Sequence, residues 1–299
     1  MMTLMHRHAS YIAFGLLGVI WGSNFIFMKW AADWITPSQV ALLRVMFGFM
    51  PILLVGLLTR SLRWAHLRHA HHFIVMALLA TAIYYFAFAK GTALLLSSLA
   101  GMLSGAIPLF TFVAALAFLR SEPVNVRSIG GTLLGFMGIL LIARPWQSAG
   151  ADINLPGVLY MLLGSLSVGL SFVYARKFVS PLGLPALALA TYQTGFALAL
   201  LLWVTELKDI ERLFAHPGPT LAMVVGLGLL GTGVAYILYY FIVNRLGAIV
   251  ASGVTYIPPV VALLIGVVLI GEPVQGLDII AMLVILTGVG LLQSGRKPA

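Results

Sequence analysis

Ten long apolar runs, separated only by short polar stretches, dictate the medium in which this chain folds. They cover approximately 11–31, 37–58, 73–92, 97–118 and 128–144, then 156–175, 184–204, 221–243, 249–270 and 277–293. Each is near the roughly 17 to 25 residues that a helix needs to cross about 30 Å of hydrocarbon. With 61% hydrophobic residues, 8% charged residues and a mean hydropathy of +1.07, too few polar groups remain to cover a water-soluble globule. Backbone amides in lipid must be satisfied within their own segment, and the alternating pattern of a barrel strand is absent. The expected fold class is therefore all-α integral membrane, with ten transmembrane helices. The first run ends in Lys29 without a small-residue cleavage site, so it reads as a retained span rather than a removed signal peptide.

A second pattern divides the runs into two sets. Glu122-Pro123-Val124 recurs as Glu272-Pro273-Val274, 150 residues later, and the same displacement carries Pro108 onto Pro258. Both prolines lie in apolar runs that end at a Glu-Pro, which points to one unit written twice, over residues 1–147 and 148–299, within a single membrane domain. Five spans per unit is an odd number, so the second copy must enter the membrane from the opposite side. Alternate loops, counted from the N-terminus, hold eleven Lys and Arg residues, whereas the other side holds five: Lys29, Lys90, Arg144, Lys208 and Arg212. By the positive-inside rule both termini are expected in the cytoplasm, in a bacterial inner membrane. The net charge of +9 then reads as topology and attraction to anionic lipid, with no nucleic-acid partner implied. The absence of cysteine excludes disulfides and thiolate metal sites.

Inverted repeats are an architecture of secondary transporters, which place a site near the midplane between the halves. The motifs carry a closer likeness. Trp21-Gly22-Ser23-Asn24-Phe25 stands in the first span, Leu43-Arg44 in the second, and a glycine-rich, proline-broken fourth span closes on Glu122-Pro123. Echoes follow in the second half: Ser171 for Ser23, Lys177 for Lys29, Gln193 near the Arg44 position, and Pro258 with Glu272-Pro273. On these residues the chain resembles the drug/metabolite transporter superfamily, specifically its ten-span EamA-type branch, and within it bacterial aromatic amino acid exporters. The resemblance implies a basket of helices around a central cavity lined by the first four spans of each half, with the fifth and tenth spans peripheral.

The side chains that could meet a substrate are few. Trp21, Ser23 and Asn24 put hydrogen-bonding groups beside a stacking surface inside hydrocarbon, where polar groups need partners or a watery cavity; the alternative is helix–helix packing by small and polar residues. Tyr84, Tyr85, Phe86 and Phe88 crowd the third span, and Tyr236, Tyr239, Tyr240 and Phe241 the eighth. Tyr84 shares a helical face with Phe88, as Tyr236 does with Tyr240. Lining a cavity they would favour flat or apolar cargo; at a span end they would form an interfacial belt. Arg44, about seven residues into the second span, is either an attraction for a substrate carboxylate or a snorkelling partner for carbonyls and phosphate. Tyr192 and Gln193 occupy the corresponding zone of the seventh span, and Ser104, Ser171 and Thr255 complete the candidate set.

Pro108 and Pro258 are read as removing a backbone bond from helix interiors, with Gly101, Ser104, Gly105, Ser252 and Gly253 preceding them, so both helices should kink and could gate opposite ends of one cavity. Gly131, Gly135, Gly288 and Gly290 read as close packing of the fifth and tenth spans. Every acid falls in a loop or at a span edge, and every histidine outside the hydrocarbon. That pattern argues against proton coupling and against an intramembrane enzyme, which needs a nucleophile with a base, or a metal, at membrane depth. The His66–His72 cluster reads as a solvated cationic loop before it reads as a metal site. The expectation is a monomeric exporter of amino acids, aromatic and other neutral ones, working by alternating access without cofactor or metal. The alternatives are efflux of drugs or other small amphipathic metabolites, a channel, a lipid-binding scaffold and, most remotely, an intramembrane enzyme.

Overall fold

A computed structural model describes residues 2–119, 125–144, 154–246 and 253–294. Glu122-Pro123-Val124, Ser252 and the side chain of Tyr240 lie outside the described residues. Among the described residues there is no strand, and ten helices are long and apolar enough to cross a membrane. In chain order they are Ala9–Ala32, Pro37–Leu58, Trp64–Leu94, Ser97–Phe118, Val126–Ala143, Leu155–Leu182, Ala186–Val204, Pro217–Tyr239, Gly253–Ile270 and Gly276–Ser294. These are the ten expected spans. The main boundary difference is in the third, which begins earlier, because a 3-10 turn over Trp64–His69 leads straight into the helix.

Local chemistry marks the ends. Thr36 Oγ1 accepts from the amide of Gln39, whose side-chain oxygen accepts from the Thr36 amide, and Pro37 supplies a helix-ready φ at the first turn. Asn125 and Asn154 cap the fifth and sixth spans in the same sense. The ninth span stops at Gly271, whose φ of 74° lies in the left-handed region that glycine enters without a Cβ penalty.

The principal pairings are fifth with tenth, fourth with ninth, second with seventh and eighth, third with sixth and seventh, and first with eighth and ninth, while the sixth also packs on the fourth. This scheme is unchanged when each span is exchanged with the one five places along. We call the side on which the first span begins the near face, and the opposite side the far face.

The fifth and tenth spans pack chiefly on one another, backbone against backbone. A Cβ on Gly288 would stand 2.5 Å from the Gly135 amide nitrogen and 2.6 Å from the Gly131 carbonyl oxygen, and one on Gly131 would stand 2.5 Å from the Gly288 carbonyl oxygen. Gly290 departs from expectation: nothing lies within 4 Å of its Cβ position, so it does not serve this contact. Gly288→Ala is accordingly expected to lower stability by about 1–3 kcal/mol through overpacking, and Gly290→Ala to leave it nearly unchanged. Thermal unfolding in detergent measures both.

The prolines also correct the sequence reading. The fourth span is two helices, Ser97–Ser104 and Ile107–Phe118, joined at Gly105–Ala106, and Pro108 sits in the first turn of the second piece. Pro258 likewise sits in the first turn of Ile257–Leu264, after a 3-10 turn over Gly253–Tyr256. First-turn amides have no partner within the helix, so proline there starts a helix at no cost in hydrogen bonds, rather than kinking an interior. Pro51 does lie inside a helix, Pro37–Leu58, and it packs onto Gly233 of the eighth span.

Candidate functional site

Arg44 is the centre of the site. It lies in the second span yet is only 3% exposed, so snorkelling to an interface is ruled out, and its partners are side chains. Its Nε donates to Thr232 Oγ1 at 3.1 Å, and its Nη1 approaches Met28 Sδ at 3.8 Å. With the Asn24 amide turned so that its oxygen faces the guanidinium, Asn24 accepts from Arg44 Nη2 at 3.0 Å and donates to the Ile20 carbonyl at 3.1 Å. The guanidinium carbon stands 3.9 Å above the centre of the Tyr85 ring, a cation–π contact. Three spans, the first, third and eighth, thus supply the shell around an arginine of the second. All these partners are neutral, and among the described residues no carboxylate pairs with Arg44.

A second polar group lies one helical turn away. Gln193 Nε2 donates to Thr81 Oγ1 at 2.9 Å and to Tyr236 OH at 3.3 Å. Thr81 and Tyr85 are four residues apart on the third span, and Thr232 and Tyr236 four apart on the eighth, so the two groups form one polar column. Wide helical turns precede the tyrosines in both spans, over Leu78–Ala82 and Ala222–Val234. Thr232 donates to the Leu227 carbonyl five residues back at 3.0 Å, as a π turn allows. Aromatic rings border the column: Tyr84 meets Tyr85 at 4.9 Å and Phe88 at 4.6 Å, and Trp21 meets Tyr239 at 6.0 Å. Tyr84 and Tyr239 are half-buried.

Other candidates fall elsewhere. The hydroxyls of Ser23, Ser104 and Ser171 turn back onto their own helices, at the carbonyls of Ile20, Gly101 and Val168. Tyr192 points to the near face, donating to the Arg63 carbonyl at 2.9 Å and stacking on Phe73 at 4.9 Å, away from its neighbour Gln193. Thr255 is half-buried in the 3-10 turn that opens the ninth span. Gly101 abuts Ala262 where the fourth and ninth spans cross, and Gly253 lies against Phe14. Among the described residues no group of three His, Cys, Asp or Glu could hold a metal ion.

Three charged residues have roles that sequence reasoning missed. Lys29 Nζ donates to the carbonyls of Ala93 and Leu95 at 3.0 and 2.7 Å. Asp278 is buried and pairs with Arg144 at 2.6 Å, while Gln275 accepts from the same guanidinium at 2.7 Å. Glu272 accepts from the amides of Ser97 and Ser98 at 2.8 and 2.9 Å and from their hydroxyls at 2.7 and 2.5 Å. Partial burial alone would raise the Glu272 carboxyl, but these four donors outweigh it and hold the pKa below its ordinary value of 4.5. The clasp they form is therefore complete above that pH and is lost as pH falls through the lowered value.

The description of the EamA-like transporter family matches this chain twice, over residues 9–144 and again over residues 155–293. The chain belongs to the EamA-like transporter family. This EamA chain is similar to the uncharacterized transporter YdfC of Bacillus subtilis (strain 168), with 26% identity over 278 residues, covering 93% of this chain and 89% of the relative. It is similar also to the uncharacterized inner membrane transporter YedA of Escherichia coli (strain K12), with 26% identity over 289 residues, covering 94% of this chain and 89% of the relative. A solved crystal structure shares the fold at a TM-score of 0.60 and 20% identity, covering 93% of this chain and 94% of that one. The EamA protein is thus a multi-pass membrane transporter, and none of these names states a substrate.

Proposed function

We propose that this protein exports amino acids, aromatic and other neutral ones, from the cytoplasm by alternating access between two inverted five-helix repeats, without proton coupling. One observation carries the reading: Arg44 is a buried cation at the meeting of four spans, held by neutral partners alone. A charge in that position costs several kcal/mol unless an anion joins it, and a visiting carboxylate would be that anion. The rings of Tyr84, Tyr85, Phe88, Trp21 and Tyr239 suit a flat or apolar side chain, and the Gln193 amide and Tyr236 hydroxyl suit an ammonium or hydroxyl group. The twofold family match and the exchange-invariant pairing support the repeats. The count of eleven cations against five supports cytoplasmic termini. Uncoupled flux is supported by the acids: among the described ones Glu272 and Asp278 are bound in structural contacts, Asp209 pairs with Arg212, and Asp33, Glu206 and Glu211 are exposed outside the spans.

Uptake of labelled phenylalanine, tryptophan, methionine, threonine and lysine into proteoliposomes, with and without a pH gradient, tests the reading. Saturable uptake of the neutral members, with counterflow and no response to the gradient, is the expected result; no uptake by folded, inserted protein would refute it. Efflux of other small amphipathic metabolites is the second reading, favoured by the lack of a carboxylate beside Arg44 to receive an ammonium group. It predicts that phenylpropionate, which is phenylalanine without its amino group, is carried as well as phenylalanine or better.

A further inference from the structure

We propose that Lys29 and Glu272 together form the far-face gate of the transporter, gripping the turn between the third and fourth spans from its two oppositely polarised ends. The inference rests on the alternating-access reading above.

The third span ends at Leu94 and the fourth begins at Ser97. Carbonyls left over at the end of a helix carry negative partial charge, and the free amides at the start of one carry positive partial charge. Lys29, from the first span, holds the carbonyl end through Ala93 and Leu95. Glu272, from the loop after the ninth span, holds the amide end through four hydrogen bonds to Ser97 and Ser98. Each charge therefore meets the helix terminus of opposite sign, and one of the grips joins the first half of the chain to the second. The Glu272 backbone is itself placed by its amide, which donates to the Gly266 carbonyl at 2.8 Å, and by the left-handed turn at Gly271.

What the turn controls is visible behind it. Every residue of Ser97–Ser104 is buried, so with both grips closed this helical piece is sealed from the far face. Its lower end is the break at Gly105–Ala106, followed by Pro108 in the first turn of the next piece. Releasing the grips would free an eight-residue lever that already has its own hinge, and no helix interior need unwind. The Arg144–Asp278 pair, by contrast, joins the fifth and tenth spans to each other.

The chain contains no cysteine, so Ser104→Cys introduces a single thiol, about 10 Å below Ser97 at 1.5 Å per residue. The rate at which a membrane-impermeant maleimide labels it from each side would be measured on the full chain in proteoliposomes. Glu272→Gln is expected to raise the far-side rate at least tenfold. The double variant S97A/S98A, which keeps the glutamate charge and both backbone donors, should raise it by less; it also carries the test should Glu272→Gln fail to fold. An unchanged far-side rate in both variants overturns the gate. If saturating phenylalanine nonetheless changes the rate in the parent, alternating access stands with a different gate. If neither phenylalanine nor any variant changes it, that reading falls too.

Discussion

Arg44→Met is expected to cut transport by about 100-fold or more while leaving the protein as heat-stable as before, or more so. The flux loss follows from removing one side of a charge-assisted contact in a buried site, which typically costs about 2–5 kcal/mol. The stability result follows from the neighbours. Thr232 keeps its bond to the Leu227 carbonyl, Asn24 keeps its bond to Ile20, and methionine can lie over Tyr85 in place of the guanidinium. Replacing a buried charge by an apolar group of similar size is often neutral or stabilising. A structural arginine would behave the other way, with a large drop in unfolding temperature and normal flux per folded molecule. Arg44→Lys adds a finer reading: it keeps the charge but not the planar fork, and should retain only a fraction of the flux.

Asp278→Ala is expected to produce the largest loss of stability, about 3–5 kcal/mol, because it strands a buried cation. Arg144 is 4% exposed and has the left-handed φ of 42° that ends the fifth span, so it cannot easily swing out to water. The double variant R144M/D278L should recover most of the loss, since it removes the charge together with its partner. Unfolding midpoints of the two single variants and the double, in one detergent, give the coupling directly. If Asp278→Ala alone left the midpoint unchanged, the pair would be ornamental.

The ten spans were legible because a helix in lipid needs length and apolarity, and both are written in local composition. Arg44 stood out as well, since a cation seven residues inside an apolar run has few explanations, but the run does not say whether it snorkels or is enclosed by protein, and its 3% exposure decides that. What composition could not show was direction. Ser23, Ser104 and Ser171 look like site residues in a string of letters, but each hydroxyl satisfies itself on its own helix. Tyr192 and Gln193 are neighbours in sequence, yet about 100° apart around the helix axis, and only Gln193 faces the column. Thr232 went unnoticed because nothing in its surroundings separates a threonine on a π turn from any other glycine-flanked threonine. What Glu272, Asp278 and Lys29 hold was not legible, because their partners lie 174, 134 and 64 residues away in the chain. The prolines were seen correctly but misplaced, since a proline in an apolar run reads alike whether it kinks one helix or begins another.

Where Gly131 and Gly135 of the fifth span meet Gly288 of the tenth, the touching atoms are backbone, and no side chain stands between them. Such a seam has nothing to exchange. Mutational drift elsewhere in a membrane protein proceeds by swapping one apolar side chain for another and letting neighbours adjust, but here the first step, from glycine to anything, already pushes two main chains apart. Variation at this crossing is therefore closed, and is left to the positions of the two spans that carry side chains. The surface of these two spans can age, while their join stays closed to single-step change.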